Sequence, residues 1–178
     1  MRIAYNQGTM ELTMPSAEHK TVKQFLVLIV DAIALARDLH LLNVGATTFT
    51  RADLARGFEP DACFYIQHVE ALRHPDQIDL AADPPPDLIM EIDITSPSLN
   101  KLPIYAALGI PEVWRYTREG LTLYQLSQDG YAPTEVSGVL PGIRRQDLMH
   151  FLDTARTMTH RTTWFKAVVA AIRALDQG

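Results

Sequence analysis

Hydrophobic and polar residues alternate from Asp87 to Thr95 in the pattern that is typical of a β-strand. Successive side chains of a strand point to opposite faces of the sheet. One face therefore carries only apolar residues: Leu88, Met90, Ile92 and Ile94. The other face carries Asp87, Glu91 and Asp93 together with Ile89 and Thr95. The pattern predicts a buried strand with acidic groups on one side of it.

Acidic residues in a buried strand need a partner. An unpaired carboxylate loses so much hydration on burial that it tends to bind a proton, and a second carboxylate on the same face adds repulsion. A divalent cation or a basic side chain would offset both costs. The face that carries Glu91 and Asp93 is therefore the first candidate for a functional site.

Helical periodicity identifies helices on both sides of this strand. A long first helix follows Ser16, a residue type suited to the N-cap, and its apolar residues recur at helical spacing from Val22 to Leu39. Three more helices are predicted over Lys101 to Leu108, Gln146 to Leu152 and Thr163 to Leu175. The stripe of apolar residues on the last helix either closes the core or forms a dimer contact.

Shorter alternating runs predict the remaining strands. Arg2 to Met14 is typical of a hairpin, Leu41 to Thr50 of a strand pair broken at Gly45, and Ala62 to Ile66 of a core strand. After the second helix, an antiparallel meander is predicted over Glu112 to Thr117, Gly120 to Leu126 and Tyr131 to Val136. The order of elements predicts a mixed β-sheet flanked by helices, in the α/β or α+β class.

Composition limits the architecture and the location. A chain of 178 residues, 47% of them hydrophobic, suits one domain over residues 1–178 with one substantial core. The net charge of -5 weakens a nucleic-acid interpretation without excluding it, because acidic metal ligands can mask a local basic groove. The single Cys63 cannot form an internal disulfide, and no apolar run is long enough to span a membrane, so we expect a cytoplasmic protein.

Two carboxylates could converge on a metal ion. Asp61 opens one core strand and Glu91 lies within another, and carboxylate oxygens suit Mg²⁺ or Mn²⁺. Asp93 could add a ligand or hold a basic partner, and Lys101 could reach back to a scissile phosphate. The purely structural alternative stays open: Asp61 as a turn former, Asp93 paired with an arginine, and Lys101 solvated.

Two polar residues lie at the start of the first helix. Glu18 is more readily explained as support for the helix dipole than as a metal ligand, and His19 is predicted to be a cap or surface residue.

Several motifs together resemble those of a known family. They are Pro15–His19, Pro60–Asp61, Pro86–Glu91, Ser96–Ser98, Lys101, Tyr105, Gly109–Trp114 and Pro141–Ile143. In combination they resemble the restriction-endonuclease-like family that forms a branch of the PD-(D/E)XK nuclease superfamily. The resemblance spans most of the chain and implies a restriction-endonuclease-like mixed sheet flanked by helices.

The resemblance also implies an activity and roles for individual residues. It implies a metal-dependent endonuclease that hydrolyses DNA, with Asp61 and Glu91 as ligands of Mg²⁺ or Mn²⁺ and Glu18 as the first-helix acid of the site. The superfamily usually has a lysine two residues after the second acid, and Asp93 stands at that position here. Lys101 resembles the helix-borne lysine of this family and is the candidate to replace it.

The sequence is also compatible with two other functions. The fold could serve as a catalytically degenerate binding or regulatory module, which the acidic composition and the lysine missing from position 93 favour. The same carboxylates could also serve a metal-assisted hydrolysis of an unrelated small molecule. For a nuclease we expect a homodimer, because two sites suit the cutting of both DNA strands.

Overall fold

The computed structural model of the protein describes residues 2–6, 9–13, 16–45, 49–51, 56–74, 77–94 and 101–177. Within these ranges there are four α-helices: α1 (Ala17–Arg37), α2 (Leu102–Ala107), α3 (Arg145–Thr157) and α4 (Arg161–Leu175). The strands of the same ranges are β1 (Arg2–Asn6), β2 (Thr9–Thr13), β3 (Leu42–Asn43), β4 (Phe49–Arg51), β5 (Arg56–Phe58), β6 (Ala62–Tyr65), β7 (Leu88–Asp93), β8 (Glu112–Thr117), β9 (Gly120–Ser127) and β10 (Gly130–Thr134).

The described strands form two sheets. The larger has six strands in the order β10-β9-β8-β7-β6-β3, and the smaller has four in the order β2-β1-β5-β4. Strand β7 is parallel to β8, which follows it through α2, and antiparallel to β6 on its other side. The large sheet is therefore mixed, and the predicted mixed sheet flanked by helices is confirmed.

Helix α1 packs along the large sheet because one of its faces is apolar. The residues of this face, Val22, Leu26, Ile29 and Ile33, recur at helical spacing and are buried. The predicted cap at Ser16 is confirmed, since its hydroxyl accepts a hydrogen bond from the backbone N–H of His19 at 3.2 Å. This cap fixes the start of the helix and so the position of its first-turn side chains.

Strand β7 lies between two apolar clusters. Leu88, Met90, Ile92 and Ile94 pack into the larger cluster, together with residues of α1, α3 and α4. Ile89 packs on the other side, with Ile104 and Tyr105 of α2 and Val113 of β8. The predicted separation of the strand into two faces is confirmed, and its acidic residues lie on the side that α2 covers.

The structure differs from the sequence prediction in several elements. The strands predicted as a pair from Leu41 to Thr50 lie in different sheets, since β3 pairs with β6 and β4 pairs with β5. The N-terminal hairpin forms as predicted, and it joins β4 and β5 in the small sheet. Helix α3 extends to Thr157, beyond the predicted end, because Ala155 continues its buried stripe. Met14 and Thr95, at the ends of two predicted strands, lie outside the described residues.

Helix α4 closes the large cluster. Trp164, Val168 and Ile172 of its apolar stripe are buried there, whereas Leu175 at the end of the stripe is 47% exposed. Most of the stripe therefore serves the core. None of the helices in the described part of the chain is long and apolar enough to cross a membrane.

Candidate active site

Glu91 lies at the centre of the candidate site. Its place in β7 puts its carboxylate under α2, where only 4% of the residue is exposed. Lys101 donates to Glu91 Oε2 through Nζ at 2.8 Å, and the hydroxyl of Tyr105 donates to Oε1. Because Lys101 and Tyr105 are four residues apart around the start of α2, both reach the same carboxylate. The structure thus brings Lys101 to Glu91, as the sequence predicts.

Asp61 is held against the same strand. Its backbone N–H donates to the carbonyl of Met90 at 3.1 Å, and its Oδ2 accepts from the backbone N–H of Ile92 at 2.9 Å. These two bonds flank Glu91 in the chain and place Asp61 beside it. Asp61 is 1% exposed, so both carboxylates are removed from bulk water.

His19 completes the contacts around Asp61. Its Nε2 lies 2.5 Å from Asp61 Oδ1, and the residue is 3% exposed. The prediction that His19 is a cap or surface residue is therefore wrong. Its spacing contained the signal: His19 precedes Val22 by three residues and Leu26 by seven, which puts it on the buried face of α1.

The other predicted site residues lie in different surroundings. Glu18 is exposed in the first turn of α1, one residue before the histidine that contacts Asp61. Asp93 accepts from Arg115 Nε at 2.7 Å, and these two side chains are 13% and 31% exposed. Arg115 stands opposite Glu91 on β8, so the pair lines the same cleft as Lys101 and Tyr105. The sequence predicts that Asp93 either adds a metal ligand or holds a basic partner, and the structure shows it with a basic partner.

Asp87, on the same face of the strand, has a structural role. It is fully buried, and its Oδ2 accepts from the backbone N–H groups of Ile66, Gln67 and His68 at 2.7, 2.9 and 3.1 Å. Its Oδ1 lies 2.5 Å from Nδ1 of His68. Asp87 therefore organises the turn that leaves β6 and stands apart from the Glu91 cleft.

Burial controls the electrostatics of the cleft. It raises the pKa of Glu91, and the negative charge of Asp61 raises that pKa further, while the charge and hydrogen bond of Lys101 and the bond from Tyr105 oppose the rise. Burial and the charge of Glu91 also raise the pKa of Tyr105 well above its ordinary value, so Tyr105 stays a hydrogen-bond donor. The raised pKa of Glu91 means that burial favours the protonated, neutral form of this carboxyl.

The donor set suits a hard divalent cation better than a zinc-type cage. Carboxylate oxygens of Asp61 and Glu91 are the ligand type that Mg²⁺ and Mn²⁺ prefer. In the described ranges, no group of three or more His, Cys, Asp or Glu side chains is arranged to hold a metal ion. A cation here would therefore be bound by the two carboxylates and by water, and Mg²⁺ commonly keeps several water ligands.

The raised pKa of Glu91 predicts how stability depends on pH. Below the ordinary value of 4.5 the carboxyl is protonated in both folded and unfolded chains. Above that pH it ionises first in the unfolded chain, so unfolding releases a proton and the folded state loses stability until the pH passes the raised pKa. The quantity to follow is the difference in the free energy of unfolding, wild type minus Glu91→Gln, measured in EDTA. We expect this difference to fall as the pH rises above 4.5. Urea unfolding across the pH range measures this difference, and a difference that rises with pH would contradict the assignment.

Comparisons with known proteins agree with the resemblance seen in the motifs. The chain matches the family model described as "Uma2: Putative restriction endonuclease" over residues 1–156. It is similar to the crystal structure of a putative nuclease belonging to DUF820 from Anabaena variabilis ATCC 29413, at 14% sequence identity and a TM-score of 0.58. This similarity covers 84% of this chain and 90% of that chain, and it confirms the predicted fold. A search among curated proteins found no match.

Proposed function

We propose that this chain, which belongs to the Uma2 family (putative restriction endonuclease), is a metal-dependent endonuclease. Its substrate would be the phosphodiester bonds of DNA. The observation that best supports this proposal is the buried carboxylate of Glu91, with Lys101 on one oxygen and Asp61 beside it. Carboxylates for a metal ion and a lysine for a phosphate are the groups that such a hydrolysis needs in one place.

Asp61 and Glu91 would hold the ion, Mg²⁺ or Mn²⁺, and Glu18 is a further candidate ligand from the first turn of α1. When bound, the ion would lower the pKa of a coordinated water and neutralise negative charge that develops at the phosphate. In the protein, His19 and the backbone N–H of Ile92 orient Asp61, and Tyr105 orients Glu91. These partners fix both carboxylates before substrate binds.

Lys101 would serve in place of the lysine that the superfamily has at position 93. Its ammonium already lies at Glu91, where it can pair with a phosphate oxygen or orient the attacking water. Asp93 at that position is neutralised by Arg115, so its negative charge is offset within the cleft. The charge reversal at position 93 is thus accompanied by two cations nearby.

The Lys101→Met variant tests this role. Methionine keeps much of the apolar stem of lysine but lacks the charge, so we expect plasmid nicking to fall by a factor on the order of a hundred or more. Initial nicking rates in Mn²⁺ measure the loss. Lys166→Met, at an exposed position on α4, is the matched control and should cut like the wild type. Equal rates for the two variants would remove Lys101 from the mechanism.

One experiment tests the proposed activity as a whole. Purified wild type is incubated with supercoiled plasmid in Mg²⁺, in Mn²⁺ and in EDTA. We expect nicked or linear products with either metal and none in EDTA. Products that form equally in EDTA, or no products under any condition, would contradict a metal-dependent endonuclease.

A second function, a catalytically degenerate binding or regulatory module, rests on a specific observation. Asp93 stands where the superfamily has its lysine and is engaged by Arg115. Such a module would bind DNA or a protein partner and leave plasmid intact in Mn²⁺. The plasmid assay combined with a DNA-binding measurement separates the two functions.

We further propose that the active form is a homodimer, since two sites would serve the two strands of a duplex. Light scattering coupled to gel filtration should then give twice the mass of the chain. A monomeric mass for a protein that linearises plasmid would contradict the dimer.

A further inference from the structure

A groove lies beside the first turns of α1, outside the Glu91 cleft. It has a volume of about 380 Å³, and one wall is formed by Lys20, Lys23, Gln24 and Val27. Asn43 at the end of β3 and Ala62 at the start of β6 line the other side. The four residues of α1 have the spacing i, i+3, i+4 and i+7, so they form one continuous stripe along the helix.

The groove is positively charged in a protein that is negative overall. Lys20 is exposed and Lys23 is half-buried, and none of the described residues that line the groove is acidic. Glu18 lies two residues before Lys20, which places it on the other side of the helix by its angular spacing. Against the net charge of -5, this is a local concentration of positive charge.

A third cation, from α4, lies beside the groove. The side-chain amide of Gln24 can be oriented so that its oxygen accepts from both terminal nitrogens of Arg161, at 3.1 and 3.2 Å. Arg161 is the first residue of α4 and is exposed. The positive charge of the groove therefore comes from two helices that are distant in sequence.

The groove lies near one edge of the candidate active site. Lys20 directly follows His19, and Ala62 directly follows Asp61, so each wall of the groove contains a chain neighbour of the contact between His19 and Asp61. A polyanion in the groove would therefore lie beside Asp61. Lysine ammonium groups bind phosphates as flexible point charges, which suits a backbone contact that is independent of base sequence.

We propose that this groove binds the DNA backbone and that Lys20 and Lys23 contact phosphates next to the scissile one. This inference rests on the proposed function, since it identifies the surface along which the substrate reaches Glu91. It also explains how an acidic protein can hold DNA, because the lysines act locally on the phosphates that they contact. Arg161 extends the contact along the same strand of DNA.

The test measures DNA binding without cleavage. A fluorescein-labelled duplex is titrated in EDTA with the wild type, with the double variant Lys20→Gln/Lys23→Gln, and with the control Lys166→Gln/Arg173→Gln. The control removes the same charge from exposed positions of α4. We expect the Lys20/Lys23 variant to bind on the order of tenfold or more weakly, and its slope of log K against log salt to be smaller by roughly 2, about 1 for each phosphate contact.

The outcomes separate this inference from the proposed function. Equal affinities and slopes for the Lys20/Lys23 variant and the control would overturn the proposal that the groove binds DNA. The absence of DNA binding by the wild type would overturn it as well. In either case, plasmid nicking by the wild type would still support the proposed endonuclease activity. Lysine-dependent binding by a protein that does not nick plasmid would support the groove and contradict the activity. Both lysines are on the surface, and thermal unfolding confirms that the variants are folded.

Discussion

Glu91→Gln is expected to reduce metal-dependent nicking of plasmid by a factor on the order of a thousand or more. Glutamine has nearly the same shape: its amide oxygen can still accept from Lys101 and its NH2 group can donate to the hydroxyl of Tyr105, while the charge and the metal affinity are lost. The loss should appear in the initial rate at every Mn²⁺ concentration, because the variant lacks a ligand that added metal cannot replace.

The control for this variant is Glu119→Gln. Glu119 is exposed in the turn between β8 and β9, and the chemical change is identical. This control should nick plasmid like the wild type. If Glu91→Gln cuts as fast as Glu119→Gln, the activity belongs to another site or to a contaminating nuclease.

The Asp87→Ala variant should lose about 3 kcal/mol of stability, the largest effect that we expect from a carboxylate on this strand. It leaves the three backbone N–H groups of residues 66–68 without their acceptor and His68 without its partner. Urea unfolding gives the difference in free energy.

Asp129→Ala is the matched control for this stability measurement. Asp129 is exposed in the turn before β10, and its replacement should cost less than about 1 kcal/mol. Similar losses for the two variants would show that Asp87 does not organise the turn. Any folded fraction of Asp87→Ala should still nick plasmid in Mn²⁺, because Asp87 lies outside the Glu91 cleft.

The sequence predicts the central strand well because its information is local. Alternation from Leu88 to Ile94 is sufficient to assign two faces, and both are confirmed. Lys101 could be placed near Glu91 for a similar reason, since a short crossover returns to the neighbouring parallel strand. The path of the N-terminal hairpin could not be predicted, because its pairing with β5 joins segments that are distant in sequence.

The roles of the three carboxylates could not be told apart from the strand alone. Asp87, Glu91 and Asp93 have the same local pattern, but their partners come from three different places in the chain. Asp87 accepts hydrogen bonds from the turn after β6, Glu91 accepts them from residues at α2, and Asp93 accepts one from Arg115 on β8. Only tertiary structure brings these partners together, and so only the structure separates a structural carboxylate from a candidate metal ligand.

His19 is different, because its position could have been recognised. Its spacing to Val22 and Leu26 places it on the buried face of α1, and a buried histidine needs a hydrogen-bond partner. The residue type suggested a cap or a surface position, and the periodicity was the more reliable signal. In the sequence, Tyr105 stands out only as part of a motif, whereas in the structure its hydroxyl is a direct partner of Glu91.

We propose that Asp61 and Glu91 together hold a divalent metal ion. Calorimetric titration with Mn²⁺ tests it most directly, with the wild type beside the double variant Asp61→Asn/Glu91→Gln. We expect saturable binding by the wild type at or below millimolar Mn²⁺ and none by the double variant. Equal binding by the two proteins, or no binding by the wild type, would contradict the claim.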